Sequence, residues 1–145
     1  MKVGRIGIEK KGNVSLYDIM EYVKSNPETR KSGALVTFIG IVRGFTHEGK
    51  EVDKLELEAH EKEAEKALTK ISDELRMKPG IVDVILHHLT GIFSVGEEMV
   101  YVVVTGASRK DVFPVLIEAV ERYKHEAPIW KKEYLKDGTA HWISE

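Results

Sequence analysis

The sequence predicts an α+β fold in which three main helices pack on a mostly antiparallel sheet. Three observations carry this. Residues 34–42, Ala34-Leu35-Val36-Thr37-Phe38-Ile39-Gly40-Ile41-Val42, are a nearly continuous apolar run rich in β-branched residues, the signature of a buried strand. Residues 61–76 place Ala64, Ala67, Leu68, Ile71 and Leu75 on one face of a 3.6-residue period, as an amphipathic helix requires. Strand-like and helix-like stretches follow one another in mixed order, without the strict alternation of a parallel α/β sheet.

In chain order, residues 3–10 alternate roughly between apolar and polar and predict a short strand, closed by a turn at Lys11-Gly12-Asn13. Ser15 can cap a helix running to about Lys24, with Asp18 at the capping-box position, and Asn26-Pro27 ends it. The apolar run 34–42 is expected to be a central strand. Arg43 is the first charge after it, and residues 44–50 form a polar loop with two glycines. Residues 52–59 set Val52, Leu55 and Leu57 against charged residues, a half-buried strand. The helix 61–76 ends before Pro79-Gly80. Residues 81–89 and 98–105 are two further strands joined through Gly91 and Gly96. Ser108 can cap the last helix, with Asp111 at the capping-box position. Its apolar stripe is Val112, Phe113, Leu116, Ala119, Val120 and Tyr123. Residues 129–135 and 140–143 make a terminal hairpin around Lys136-Asp137-Gly138-Thr139.

These elements fit one domain over residues 1–145, long enough to bury a core without staples. Apolar residues are 42% and charged residues 32%, the balance of a globular chain. A net charge of −2 supplies no global basic field for nucleic acid. No apolar run approaches the roughly 18–20 residues of a membrane span. The start, Met1-Lys2-Val3-Gly4-Arg5, has no apolar signal region, so a cytoplasmic location is expected. Cysteine is absent, which removes disulfides, thiolate metal sites and cysteine nucleophiles. Glutamine is also absent, and Asn13 and Asn26 are the only asparagines, a composition resembling that of thermophile proteins.

The stretch most suggestive of chemistry is Tyr123-Lys124-His125-Glu126-Ala127-Pro128-Ile129-Trp130-Lys131-Lys132-Glu133. It sets Lys124 at a helix end and Lys131 and Lys132 on the strand beyond a sharp reversal, an arrangement suited to an anionic ligand. Arg43, Arg109, Lys124, Lys131 and Lys132 all fall at element ends, where rigid scaffolds present functional groups. Ser108 and Arg109 sit at a helix N-terminus, which favours anions. Each of these residues is equally readable as an ordinary surface charge. His87 and His88 are neighbours on a strand and point to opposite faces, so they cannot share a metal. His47 and His60 are isolated, and no metal site is expected. Walker and dinucleotide glycine loops are absent, as is a serine nucleophile elbow. Trp130 and Trp142 could stack on a heterocycle, but are better read as buried anchors of the hairpin.

Several runs together resemble the large, catalytic subunit of molybdopterin synthase. They are Gly33 through Arg43, Leu55-Glu56-Leu57-Glu58-Ala59-His60, Glu65-Lys66-Ala67-Leu68, His88 with Gly91, Gly96-Glu97, Ala107-Ser108-Arg109, and Lys124 through Glu133. The similarity is colinear over about residues 33–133. The resemblance implies an α/β-hammerhead fold and a central homodimer. Each protomer would bind a small ubiquitin-like sulfur carrier ending in Gly-Gly, giving a heterotetramer. It further implies a sulfurtransferase that converts cyclic pyranopterin monophosphate to molybdopterin with sulfur from the carrier's C-terminal thiocarboxylate. No cofactor is implied, and the missing cysteine agrees, since the sulfur arrives on the partner. By the resemblance, Ile41, Val42, Arg43, Ser108, Arg109, Lys124, Lys131, Lys132 and Glu133 line the substrate site. Lys124 and Lys131 would be catalytic, and Arg43 and Arg109 would hold the phosphate. Three positions depart from the family pattern: Ser108 stands where His is usual, Leu89 where Arg is usual, and His60 where Tyr is common. The alternative is a non-catalytic module that binds a ubiquitin-like partner or a phosphorylated metabolite, with the same lysines as docking charges.

Overall fold

The computed structural model describes residues 3–143; Met1, Lys2, Ser144 and Glu145 lie outside the described residues. The expectations drawn from the first two residues and for the extreme ends of the domain therefore fall outside it.

The strands are β1 (Ile6–Lys10), β2 (Ala34–Ile41), β3 (Val52–Ala59), β4 (Ile81–Ser94), β5 (Glu98–Gly106), β6 (Ile129–Leu135) and β7 (Ala140–Ile143). The helices are α1 (Leu16–Ser25), α2 (Glu61–Arg76) and α3 (Arg109–Glu126), with a short 3-10 helix over Pro27–Lys31. The strands form one seven-stranded sheet in the order β2-β5-β4-β3-β6-β7, with β1 added alongside β4. Every pairing is antiparallel except that of β1 with β4. The expected α+β class with three main helices is what the chain adopts.

The long strand β4 organises the sheet by changing partner along its length. Its first part pairs β5, Leu86–Thr90 pair β1, and Gly91–Ser94 pair β3. The change falls at Gly91, whose φ of +125° is a conformation that residues with a Cβ rarely adopt. The expected break near Leu89 is thus a bend inside one strand. His87 and His88 lie within that strand and not at its end.

Period-2 alternation divides the core in two. On one face Val84 and Leu86 of β4 and Val100, Val102 and Val104 of β5 pack against Leu68, Ile71 and Leu75 of α2 and Val112, Val115 and Ala119 of α3. On the other, Ile85, Phe93, Tyr101 and Val103 pack with Ile19 and Val23 of α1 and with Leu55 and Leu57 of β3. Local signals fix the helix starts. Ser15 and Asp18 form the expected capping box, with Asp18 N–H donating to Ser15 Oγ at 3.3 Å and Ser15 N–H to Asp18 Oδ2 at 2.9 Å. His60 caps α2: its Nδ1 accepts from the Glu63 N–H at 3.4 Å.

Three expectations are corrected, and one element without a sequence signal is added. Strand β2 is an edge strand, not a central one; its apolar run reflects packing of both faces, and Leu35 and Ile41 stay 44% and 55% exposed. The 3-10 helix, with Pro27 in its first turn, lacks the apolar period that would announce it. Ser108 occupies the N-cap of α3 without a side-chain cap, because its hydroxyl donates to Asp111 Oδ2 at 3.0 Å instead. Trp130 and Trp142 are about half exposed. Both point to the face of the hairpin that carries Lys132, Glu56 and Tyr134, away from the core, since Trp130 pairs Glu58 and Trp142 pairs Lys132.

Candidate active site

The chain converges on a cavity of about 700 Å³ where the C-terminal end of β2, the following loop, β3, the last turn of α3 and the β6–β7 hairpin meet. Ile41, Val42 and Arg43 arrive from the end of β2, and Thr46, His47 and Glu48 from the loop after it. Val52 and Leu55 come from β3, Met99 from β5, Lys124 from α3, Lys131 and Glu133 from β6, and His141 and Ile143 from β7.

Strand alternation selects which side chains enter. Lys131 and Glu133 share one face of β6 with their cross-strand partners Ile143 and His141 on β7 and Leu57 and Leu55 on β3. Lys132, between them, faces the other way. Its ammonium lies 5.3 Å from the Tyr134 ring centre and 5.6 Å from that of Trp142, within cation–π range. The helix-to-strand reversal at Ala127-Pro128 brings Lys124 beside Lys131: Ala127 N–H bonds Tyr123 C=O to close the helix, and Ile129 begins β6 directly.

Polar contacts shape the walls. Arg43 Nε donates to Phe45 C=O at 2.8 Å, which curls the loop back over the end of β2. His141 Nε2 lies 3.1 Å from Glu133 Oε1, with the carboxylate side chain 13% exposed and the imidazole 47%. In the turn that carries β7, Asp137 is held below the usual carboxylate range, chiefly by the hydrogen bond from the Thr139 hydroxyl and then by that from its N–H. The cavity therefore joins three cationic side chains, Arg43, Lys124 and Lys131, to two carboxylates and two imidazoles. Such a set can neutralise an anionic ligand and move protons.

Of the residues marked by the resemblance, Ile41, Val42, Arg43, Lys124, Lys131 and Glu133 line this cavity, and Ser108, Arg109 and Lys132 do not. Ser108 and Arg109 start α3, while Lys124 lies in its last turn. Thr46, His47, Glu48, Met99 and His141 were not anticipated. The loop residues have no periodicity to betray them. His141 was available from the hairpin register, which sets it opposite Glu133. Among the described residues no group of three or more His, Cys, Asp or Glu side chains could hold a metal ion, and no helix is long and apolar enough to cross a membrane.

A family model described as MoaE protein matches residues 10–126. The chain belongs to the MoaE family. Among curated members, the molybdopterin synthase catalytic subunit of Bacillus subtilis is 37% identical over 125 residues, covering 86% of this chain and 78% of that one. The subunit of the same name from Nostoc is 34% identical over 126 residues, covering 86% and 76%. A probable molybdopterin synthase of Haloferax volcanii is 34% identical over 86% of this chain, and the chain spans 48% of that longer relative. Among solved structures, molybdopterin synthase from Staphylococcus aureus superposes with a TM-score of 0.84 at 32% identity over 99% of both chains. A complex of subunits 1 and 2 of molybdopterin-converting factor from Helicobacter pylori superposes with a TM-score of 0.76. At 21% identity over 98% of this chain and 92% of that one, it speaks to the fold alone.

Proposed function

We propose that this MoaE-family chain is the sulfur-transferring subunit of a molybdopterin synthase. It converts cyclic pyranopterin monophosphate to molybdopterin with sulfur from the C-terminal thiocarboxylate of a small ubiquitin-like carrier. The observation that carries this reading is the convergence of Lys124, Lys131 and Arg43 on one cavity of about 700 Å³, in the range of small-molecule sites. The Arg43 guanidinium suits a phosphate, which it can bind bidentately. Lys124 and Lys131 supply point charges that draw the carrier's anionic end to the substrate and stabilise charge as sulfur is transferred. The chain contains no cysteine, so the sulfur must arrive on another molecule, as a carrier subunit would bring it.

The same reading includes a homodimer at the centre of a heterotetramer, working in the cytoplasm. Edge strand β2 offers unpaired backbone and exposed Leu35, and the neighbouring helix α3 exposes Phe113 and Ile117. Edges and apolar patches of this kind are natural contact surfaces. Self-association there would bring the Ser108–Arg109 end of a second copy into play, which one copy cannot place beside its own Lys124.

The test is reconstitution: purified chain, carrier bearing a thiocarboxylate, and cyclic pyranopterin monophosphate, with the dithiolene product followed by mass spectrometry. Product that forms only with the thiocarboxylated carrier supports the enzyme. Carrier binding with no sulfur transfer would leave the protein a docking module and overturn the reading.

A further inference from the structure

Resting on the function just proposed, we infer that His141 is the base that activates water to release the carrier, and that Glu133 is its positioning residue. The two lie opposite one another in the β6–β7 pairing and line the same cavity as Lys124 and Lys131. Glu133 Oε1 is 3.1 Å from His141 Nε2. A carboxylate accepts and cannot donate, so beside it a neutral ring favours the tautomer with its proton on Nε2 and its lone pair on Nδ1. Among the described residues no hydrogen bond occupies Nδ1. The carboxylate is sheltered and the imidazole is half open to the cavity mouth, the order expected of an orienting group behind a working one.

The chemistry needs such a group. When the sulfur of an acyl thiocarboxylate bonds to an oxygen-bearing carbon of the pterin, the carbon–oxygen bond it replaces breaks, the oxygen leaving as water or as the opened phosphate ester, and the product is a thioester joining carrier to substrate. Separation requires water: its oxygen bonds to the acyl carbon and the carbon–sulfur bond breaks. The sulfur leaves with the bonding pair as a thiolate on the pterin, and the carrier ends in a carboxylate. One water is consumed and two protons are released, the first to the base and both finally to solvent. A lysine ammonium or an arginine guanidinium has only donors to offer this water. An imidazole with an open lone pair can accept its proton.

The test is a single-turnover reaction with thiocarboxylated carrier and pterin substrate, read by intact-mass spectrometry. The wild-type protein should yield free carrier carboxylate without accumulating the carrier–pterin thioester. His141→Ala should accumulate that conjugate and release carrier at least ~100-fold more slowly, with imidazole added to the buffer restoring release. His141→Gln can still donate to Glu133 but offers no base, and should remain slow. Release at the wild-type rate in His141→Ala, or slow release with neither conjugate nor imidazole rescue, overturns this assignment alone. A wild-type protein that forms neither conjugate nor product overturns the functional reading and this assignment with it.

Discussion

Arg109 and Lys124 stand at opposite ends of one unbroken helix, the first residue and the last turn of α3. Their positions differ by 15, which at 1.5 Å per residue is roughly 22 Å along the axis. Lys124 enters the cavity with Arg43, and Arg109 does not. A ligand on the order of 10 Å long cannot be held by both ends of the same helix. If both act on substrate, they come from different copies of the chain. Two equivalent sites would then be built across a two-fold interface. Mixing Arg109→Ala with Lys124→Ala subunits under exchange conditions should restore one intact site per mixed dimer. Mixtures that stay as inactive as either parent, while wild-type subunits survive the same exchange, would remove Arg109 from the site.

Lys124 and Lys131 line one cavity because only Ala127 and Pro128 separate α3 from β6, and neither lysine belongs to the hydrophobic core. Lys124→Ala should reduce sulfur transfer at least ~100-fold, and Lys131→Ala should also impair it, the scale expected when a positioned charge or proton-transfer group is removed. Melting temperature and carrier binding should remain near wild type. Near-normal turnover in both variants would sink the catalytic assignment.

Much of this arrangement is written in local signals. The boundaries of α2 and of the β6–β7 hairpin are legible because apolar period, caps and turn residues agree there. The neighbour relations of strands are not, because an apolar run reports how much surface is buried and not which strand lies alongside. That is why β2, lying within the nine-residue apolar run 34–42, could pass for a central strand. The cavity shows the same division. Lys124, Lys131 and Glu133 stand out by their spacing around Pro128, whereas Thr46, His47 and Glu48 reach the cavity only through the loop that Arg43 ties back to Phe45. Lys132 illustrates the cost of ignoring alternation: one residue from Lys131, it belongs to the opposite face.

A stability prediction comes from the way β1 is pinned to β4. His87 is 1% exposed. Its Nδ1 contacts the Glu9 carboxylate and its Nε2 lies 2.9 Å from Gly4 C=O. The Glu9 side chain folds over Gly7, where an added Cβ would lie 2.0 Å from Glu9 Oε1. Gly7→Ala must therefore push the carboxylate off a buried imidazole. The expected loss is about 1–3 kcal/mol, the cost of stranding a buried polar group, measured by denaturant unfolding. In a Glu9→Ala background the same substitution should be neutral or slightly stabilising, because the clash is gone and alanine restricts the unfolded chain. Equal costs in both backgrounds would show that Glu9 is not the reason for the glycine.

The carrier's tail should be read by length. An extended Gly-Gly end spans about 7 Å, and the cavity of about 700 Å³ must hold that end together with the pterin. Backbone hydrogen bonds would supply much of the grip on an extended peptide, and these fix its register. Adding one bulky residue after the second glycine leaves the carrier body unchanged, but advances the reactive terminus by about 3.5 Å. A displacement of 1 Å at a reacting centre can cost on the order of 100-fold, so such an extension should abolish sulfur transfer. The check is a thiocarboxylated carrier with one added phenylalanine, assayed beside the native tail at saturating concentration, so that weaker docking cannot account for the loss. If the extended tail delivers sulfur at a comparable rate, the terminus does not reach Lys124 and Lys131 through this cavity, and the tail-in-pocket arrangement is wrong.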